Sequence, residues 1–186
     1  MKFTFVPQAL PEVLLVTHER AGDARGFFAE VFREEPFRAA GIPAFVQENM
    51  SRSTKGVLRG LHYQKQPQPQ GKLVRCARGA IFDVAVDVRH GSPNFGKWVG
   101  VELTEANNQM LWVPVGFAHG FVALAELTEI VYKTTGYYAP SSDAGVRWDD
   151  PAIGVAWPVS APLLSDKDQK APFLRDVDTT FQFGRG

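Results

Sequence analysis

Over residues 81–88 the chain reads IFDVAVDV, in which apolar and polar positions alternate with a period of two. Phe82, Val84, Val86 and Val88 fall on one side, and Asp83, Ala85, Asp87 and Arg89 on the other. That period predicts a β-strand. Its second face carries carboxylates, so it is expected to do more than fill a plain core. The stretches KWVGVEL, with Val99, Val101 and Leu103 together, QMLWVPV, and EIVYKTTGYY, with Tyr132 and Thr134 opposite Val131, Lys133 and Thr135, repeat the signal. Their spacing is that of a β-sandwich or barrel.

Thirteen prolines and seventeen glycines separate such runs, as expected for short strands joined by turns. Helix is scarce. EEPFRAAG can form one short helix with Pro36 near its start and Gly41 past its end, and SDKDQK a turn capped by Ser165. QKQPQPQG, residues 64–71, reads as a polar loop, because the strand pattern resumes at once in KLVRCARG. No repeat or boundary interrupts the series. The expected architecture is a single all-β domain over residues 1–186 with a few short helices.

Composition narrows the partners. A chain of 186 residues buries about 70% of the surface that its unfolded form exposes, enough to fold without staples. Lysine plus arginine and aspartate plus glutamate both number 20, leaving no net field to draw the chain to nucleic acid or an anionic membrane. Any anionic ligand must be met by local cations. The lone cysteine, Cys76, excludes an internal disulfide and a Cys-rich zinc site, and fits a reducing compartment. A proline and a glutamate precede the short N-terminal apolar run, and nowhere do about 18 apolar residues run together. The expectation is a soluble, untargeted, cytoplasmic protein.

Two glycine-flanked histidines carry the candidate chemistry: His62 in RGLHYQ and His119 in PVGFAHGF. Pro114, Gly116 and His119 have the Pro-x-Gly-x-x-His spacing of the second cupin motif. A metal-binding cupin has His-x-His in its first motif, where this chain reads His62, Tyr63, Gln64. The only other histidines are His18 and His90, so a three-histidine, one-carboxylate metal site cannot be assembled from the motif positions. Without a metal, a neutral imidazole can act as a base near pH 7. A lone strand histidine is also compatible with a plain core role. Its neighbours weigh against that: Arg59, Lys72 and Arg75 crowd the adjacent chain, which points to anion recognition. Strict alternation would put Arg59 and His62 on opposite faces. Both reach one pocket only if the strand bulges, and Gly60 allows that.

Taken in order, DARGFFAEVF, QENMSRSTKGVLRGLHYQ, GKLVRCARGAIFDVAVDVR, SPNFGKWVGVEL, PVGFAHGF, VYKTTGYYAPSSDAGVRWDDP and LLSDKD span nearly the whole chain. Jointly they resemble the dTDP-4-dehydrorhamnose 3,5-epimerases, metal-free cupins of dTDP-L-rhamnose synthesis. The resemblance implies a cupin-type jelly-roll barrel, no cofactor, and a dTDP-sugar substrate epimerised at C3 and C5 beside a C4 ketone. It implies His62 as the base, Asp168 as the carboxylate that fixes the imidazole, Tyr132 as the proton donor on the far face, and Lys72 at the enolate oxygen. Arg25, Phe28, Glu30, Gln47, Asn49, Arg59 and His119 match ligand-contacting positions, and Tyr138 the aromatic that stacks on thymine. Asp143 and Lys167 are grouped with them, and Asp83 is assigned to support. Phe28 is equally readable as core. Many members carry glutamate and arginine where this chain has Asp143 and Ala144, a departure that bears on ligand contact by that loop.

The resemblance also implies a homodimer, with the segment around Thr4, Phe5 and Val6 adding to the partner's sheet. Three other readings share these features in part. A mono-epimerase or ketoisomerase of related dTDP-deoxysugars would keep the same pocket. A silent nucleotide-sugar-binding cupin would keep the cations without needing an acid and a base together. A metal-dependent cupin would need ligands that the motifs lack.

Overall fold

The computed structural model describes residues 1–184. The strands in chain order are β1 (Phe3–Pro7), β2 (Leu14–His18), β3 (Ala21–Asp23), β4 (Gly26–Phe28), β5 (Gln47–Ser53), β6 (Leu58–Gln64) and β7 (Lys72–Arg78). Then come β8 (Ala80–Asp87), β9 (Trp98–Thr104), β10 (Gln109–Val113), β11 (Phe117–Ala123), β12 (Thr128–Thr134) and β13 (Asp143–Gly145). The two short helices are α1 (Glu34–Ala39) and α2 (Asp166–Gln169). Six strands form one sheet in the order β1-β2-β10-β7-β12-β5, and five form a second in the order β13-β6-β11-β8-β9. All named strand pairs are antiparallel. The alternation predicts this all-β arrangement, and the family resemblance implies its jelly-roll form.

The two sheets enclose a core in which Val74, Leu111 and Ile130 of one meet Ile81, Ala85, Leu103 and Phe121 of the other. Val99 and Val101 of β9 join it, as their spacing with Leu103 predicts. Both sheets are also covered on the outside. Phe37 of α1, 1% exposed, packs with Phe3, Val16 and Met110 on the outer face of the six-stranded sheet. Burying one such ring contributes about 1.5–3 kcal/mol. The other sheet is covered by chain outside the strands: Ile153, Leu174 at the start of a single 3-10 turn (Leu174–Asp176), and Phe181 lie against Val84, Val86 and Val88. Both faces of β8 are therefore buried, one apolar throughout and the other holding Asp83 and Asp87 at 0% exposure.

Those two carboxylates are satisfied differently. Asp87 accepts from Arg89 Nε and Nη2 at 2.9 and 2.6 Å and from Ser92 Oγ at 2.6 Å, closing one end of the barrel. Asp83 instead meets the imidazole of His119 at 2.8 Å. The N-terminal strand β1 pairs with β2 of its own chain and forms the edge of the larger sheet. No helix among the described residues is long and apolar enough to cross a membrane.

Candidate active site

Strand β6 shapes the site. On β11, His119 and Phe121 are two residues apart and face the same way, yet their partners on β6, His62 and Arg59, are three apart. One residue of β6 is therefore extra. This is the bulge expected at Gly60, and it turns Arg59 onto the inward face beside His62. Gly60 has φ +132°, and a Cβ there would lie 2.5 Å from Gly120 Cα. Only glycine fits without backbone movement.

Two adjoining cavities share His62, Lys72 and Tyr132 in their walls. One, of about 240 Å³, adds Arg59, His119, Ser165 and Asp168. The other, of about 300 Å³, adds Gln47, Asn49, Gln64, Tyr138, Asp143 and Lys167. His62 comes from the five-stranded sheet, and Lys72 and Tyr132 from the six-stranded sheet. The hollow thus lies between the sheets, with the imidazole and the phenol on opposing walls.

The Nε2 of His62 is 2.5 Å from Asp168 Oδ1. Asp168 is 3% exposed, and its other oxygen accepts from Ser165 Oγ at 2.9 Å. Burial pushes the Asp168 carboxyl upward, but the bond and charge of His62, the Ser165 hydroxyl and Lys167 together outweigh it and hold the acid below its ordinary range. An ionised Asp168 keeps the proton on Nε2 and leaves Nδ1 as the basic nitrogen. α2 supplies the geometry: Ser165 caps it by accepting from Asp168 N at 3.2 Å.

Tyr132 is half-buried on β12. Burial raises its phenol pKa, and the Arg59 cation offsets this in part, so the hydroxyl holds its proton at neutral pH. Lys72 donates from Nζ to His62 O at 3.2 Å. Burial lowers its ammonium to about 8, against opposing attraction from Asp143 and Asp83. It is therefore a cation at neutral pH that sits close to losing its proton.

A second imidazole–carboxylate pair lies beside the first. His119 Nε2 is 2.8 Å from Asp83 Oδ1, both residues are buried, and Asp83 Oδ2 has no partner. The remaining cavity is polar. Lys167 pairs with Asp143, which also accepts from the Tyr138 hydroxyl at 3.3 Å. Gln47 donates to Asn49 at 2.9 Å and accepts from Tyr138 N at 3.0 Å. Asp143 therefore borders the cavity despite its shorter side chain.

Three residues assigned to the ligand lie elsewhere in the single chain. Arg25 and Phe28 belong to the β3–β4 hairpin, where Arg25 pairs with Asp23 at 2.6 Å and Phe28 is 71% exposed. Phe28 is thus not core. Glu30 faces the N-terminal amine at 3.6 Å and Arg33 at 3.8 Å. Neither cavity holds any of the three. Conversely, Ser165, Gln64 and Gln70 line or support the site and were not singled out for it. The Ser-x-x-Asp spacing of residues 165–168 was a visible signal for the first. Gln64, two positions past His62 on the same strand face, was a visible signal for the second. Among the described residues, no group of three or more His, Cys, Asp or Glu side chains is placed to hold a metal.

Residues 7–176 match the family model described as dTDP-4-dehydrorhamnose 3,5-epimerase. A protein of that name from Shigella flexneri is 53% identical over 171 residues, covering 91% of this chain and 94% of its own. One from Sinorhizobium fredii is 50% identical over 182 residues, covering 96% and 93%. The crystal structure of a dTDP-6-deoxy-D-glucose-3,5-epimerase from Legionella pneumophila in complex with dTDP-4-keto-L-rhamnose superposes with a TM-score of 0.95. It is 43% identical, with all of both chains covered. A 3-epimerase from Streptomyces niveus is less similar, at 38% identity over 92% of this chain and 84% of its own.

Proposed function

Because this chain belongs to the dTDP-4-dehydrorhamnose 3,5-epimerase family, we propose that His62, Asp168, Tyr132 and Lys72 carry its epimerisation of a dTDP-4-keto-6-deoxysugar. The enzyme is an isomerase of dTDP-L-rhamnose synthesis. The observation that supports the residue assignment best is that His62 and Tyr132 border one cavity from opposite sheets. Inversion at carbon needs a base on one face and an acid on the other, and a ring held between the sheets meets both.

In this reading Nδ1 of His62 removes the proton at the carbon next to the ketone. The C–H electron pair moves into the C–C bond, and the carbonyl becomes an enolate. Asp168 stabilises the imidazolium that results. Lys72 meets the negative oxygen with a cation already in place, and such prearranged charge lowers the barrier most in a site shielded from water. The Tyr132 phenol then protonates the opposite face. Arg59 and His119, held by Ser53 and Asp83, supply cationic or donor groups for the diphosphate. Solvent-deuterium incorporation at C3 and C5, abolished in His62→Asn with dTDP binding retained, tests the assignment.

We propose further that the working unit is a homodimer whose hairpins complete each other's sites. Every residue of β3 and β4 is exposed, including Phe27 at 63% and Phe28 at 71%. Adjacent exposed rings of this kind mark a contact surface. A partner pocket would use Arg25, Phe28 and Glu30, which have no place in their own. The open edge of β1, where Val6 is 45% exposed, is the proposed seam. A cytoplasmic setting is proposed on the free thiol of Cys76.

A further inference from the structure

Gln64 faces the nucleotide-sized cavity but has no hydrogen left to offer a ligand. Its Nε2 donates to Gln68 O at 2.7 Å and to Tyr137 O at 3.1 Å, and its Oε1 accepts from Ala139 N at 2.9 Å. A carboxamide has two N–H donors, and both are occupied. The side chain is 3% exposed.

The bonds of Gln64 belong to a set that grips one short segment. Gly136 O accepts from Gln70 Nε2 at 2.7 Å and from Thr134 Oγ1 at 2.8 Å. Tyr138 N donates to Gln47 Oε1 at 3.0 Å. Four consecutive residues, 136–139, are thus each held through the backbone by a neighbouring side chain. The Tyr138 ring carried by that segment is 57% exposed and has little packing to hold it. Beyond the bond of its hydroxyl to Asp143 at 3.3 Å, its direction is set by its backbone, and a fully satisfied buried amide network is a rigid way to set one.

We propose that Gln64 is a positioning residue for nucleotide recognition, which fixes residues 137 and 139 so that the Tyr138 ring stands ready as a platform for the base. This rests on reading Tyr138 as the stacking aromatic. Without the amide, the segment samples other orientations and must be ordered on binding, so affinity falls. The acid–base groups are served by other contacts, His62 by Asp168 at 2.5 Å and Lys72 by the His62 carbonyl at 3.2 Å. The loss therefore falls on ligand binding before it falls on turnover.

The test is calorimetric titration of dTDP into wild type, Gln64→Met, Tyr138→Ala and the double variant, with kcat and KM measured for each. Tyr138→Ala should raise the dTDP Kd about ten- to a hundredfold, the range of base–aromatic stacking. Gln64→Met should raise it about three- to tenfold, with a larger effect on KM than on kcat. The double variant should bind no worse than Tyr138→Ala alone, because the first change acts only through the second residue. Full additivity, or a Gln64→Met defect in kcat at unchanged Kd, would overturn the proposal while leaving the stacking role of Tyr138 standing. An unchanged Kd in Tyr138→Ala would instead remove the stacking reading and this inference with it. Should Gln64→Met fail to fold, Gln70→Met, which loses only the bond to Gly136, should shift Kd in the same direction by less; no shift there overturns the proposal.

Discussion

His62 Nε2 and Asp168 Oδ1 lie 2.5 Å apart although 106 residues separate them along the chain. The contact joins β6 to α2, and Ser165 holds the carboxylate from its other side at 2.9 Å. An imidazole tied in this way has one nitrogen fixed as donor and the other left as base.

Replacing the carboxylate by an amide should therefore spare the fold and remove the preference for the reactive tautomer. Asp168→Asn is expected to lower kcat by about 10²–10⁴-fold, the usual worth of positioned acid–base catalysis. dTDP affinity should stay near that of the wild type. Steady-state kinetics with parallel titration checks both, and a variant retaining more than half of wild-type kcat would contradict the dyad.

Tyr132 is assigned the second half of the proton transfer. Tyr132→Phe should still allow His62 to exchange the sugar proton with deuterium, while completed inversion slows much more. Comparing exchange with trapped product by NMR separates the two, and equal losses would remove Tyr132 from the donor role.

Lys72 gives the reaction a pH signature. Burial lowers its ammonium to about 8, so as pH rises through that value the enolate oxygen loses its cation and kcat/KM should fall. A guanidinium stays charged throughout, so Lys72→Arg should move this basic limb upward. Lys72→Met should lower kcat about 10²–10³-fold at pH 7. A limb that stays near pH 8 in Lys72→Arg belongs to another group.

The hairpin proposal is open to complementation. Arg25→Ala and His62→Asn should each be poorly active alone. If Arg25 serves the partner's pocket, mixed dimers contain one site with both wild-type residues, and unfolding and refolding the variants together should restore activity. A mixture no more active than its components would mean that Arg25 does not act across the interface.

Much of this was legible in the chain. Alternation located β8, β9, β10 and β12, and Gly60 between Arg59 and His62 marked where a bulge is allowed. The covering layer over the five-stranded sheet was not legible, since Ile153, Leu174 and Phe181 sit in turns, one short 3-10 helix and loop, with no period to read. Neither was the pairing of His62 with Asp168, which depends on how distant segments return to one another; resemblance alone joined them. Arg25, Phe28 and Glu30 were assigned to the ligand by resemblance alone, and a single chain leaves them outside its own cavity. The place of Gln64 in the site wall was legible from its strand face, shared with His62, but its positioning role was not, because its partners are backbone groups that carry no side-chain signature.

The most direct test of the acid–base assignment is proton NMR of dTDP-4-dehydro-6-deoxyglucose in deuterated water with the wild type and His62→Asn, coupled to a reductase that traps the L-sugar. The wild type should place deuterium at both C3 and C5 and yield trapped dTDP-L-rhamnose, while His62→Asn should bind dTDP and exchange neither position. Exchange at C3 alone would make this chain a mono-epimerase, and continued exchange in His62→Asn would show that the base is another residue.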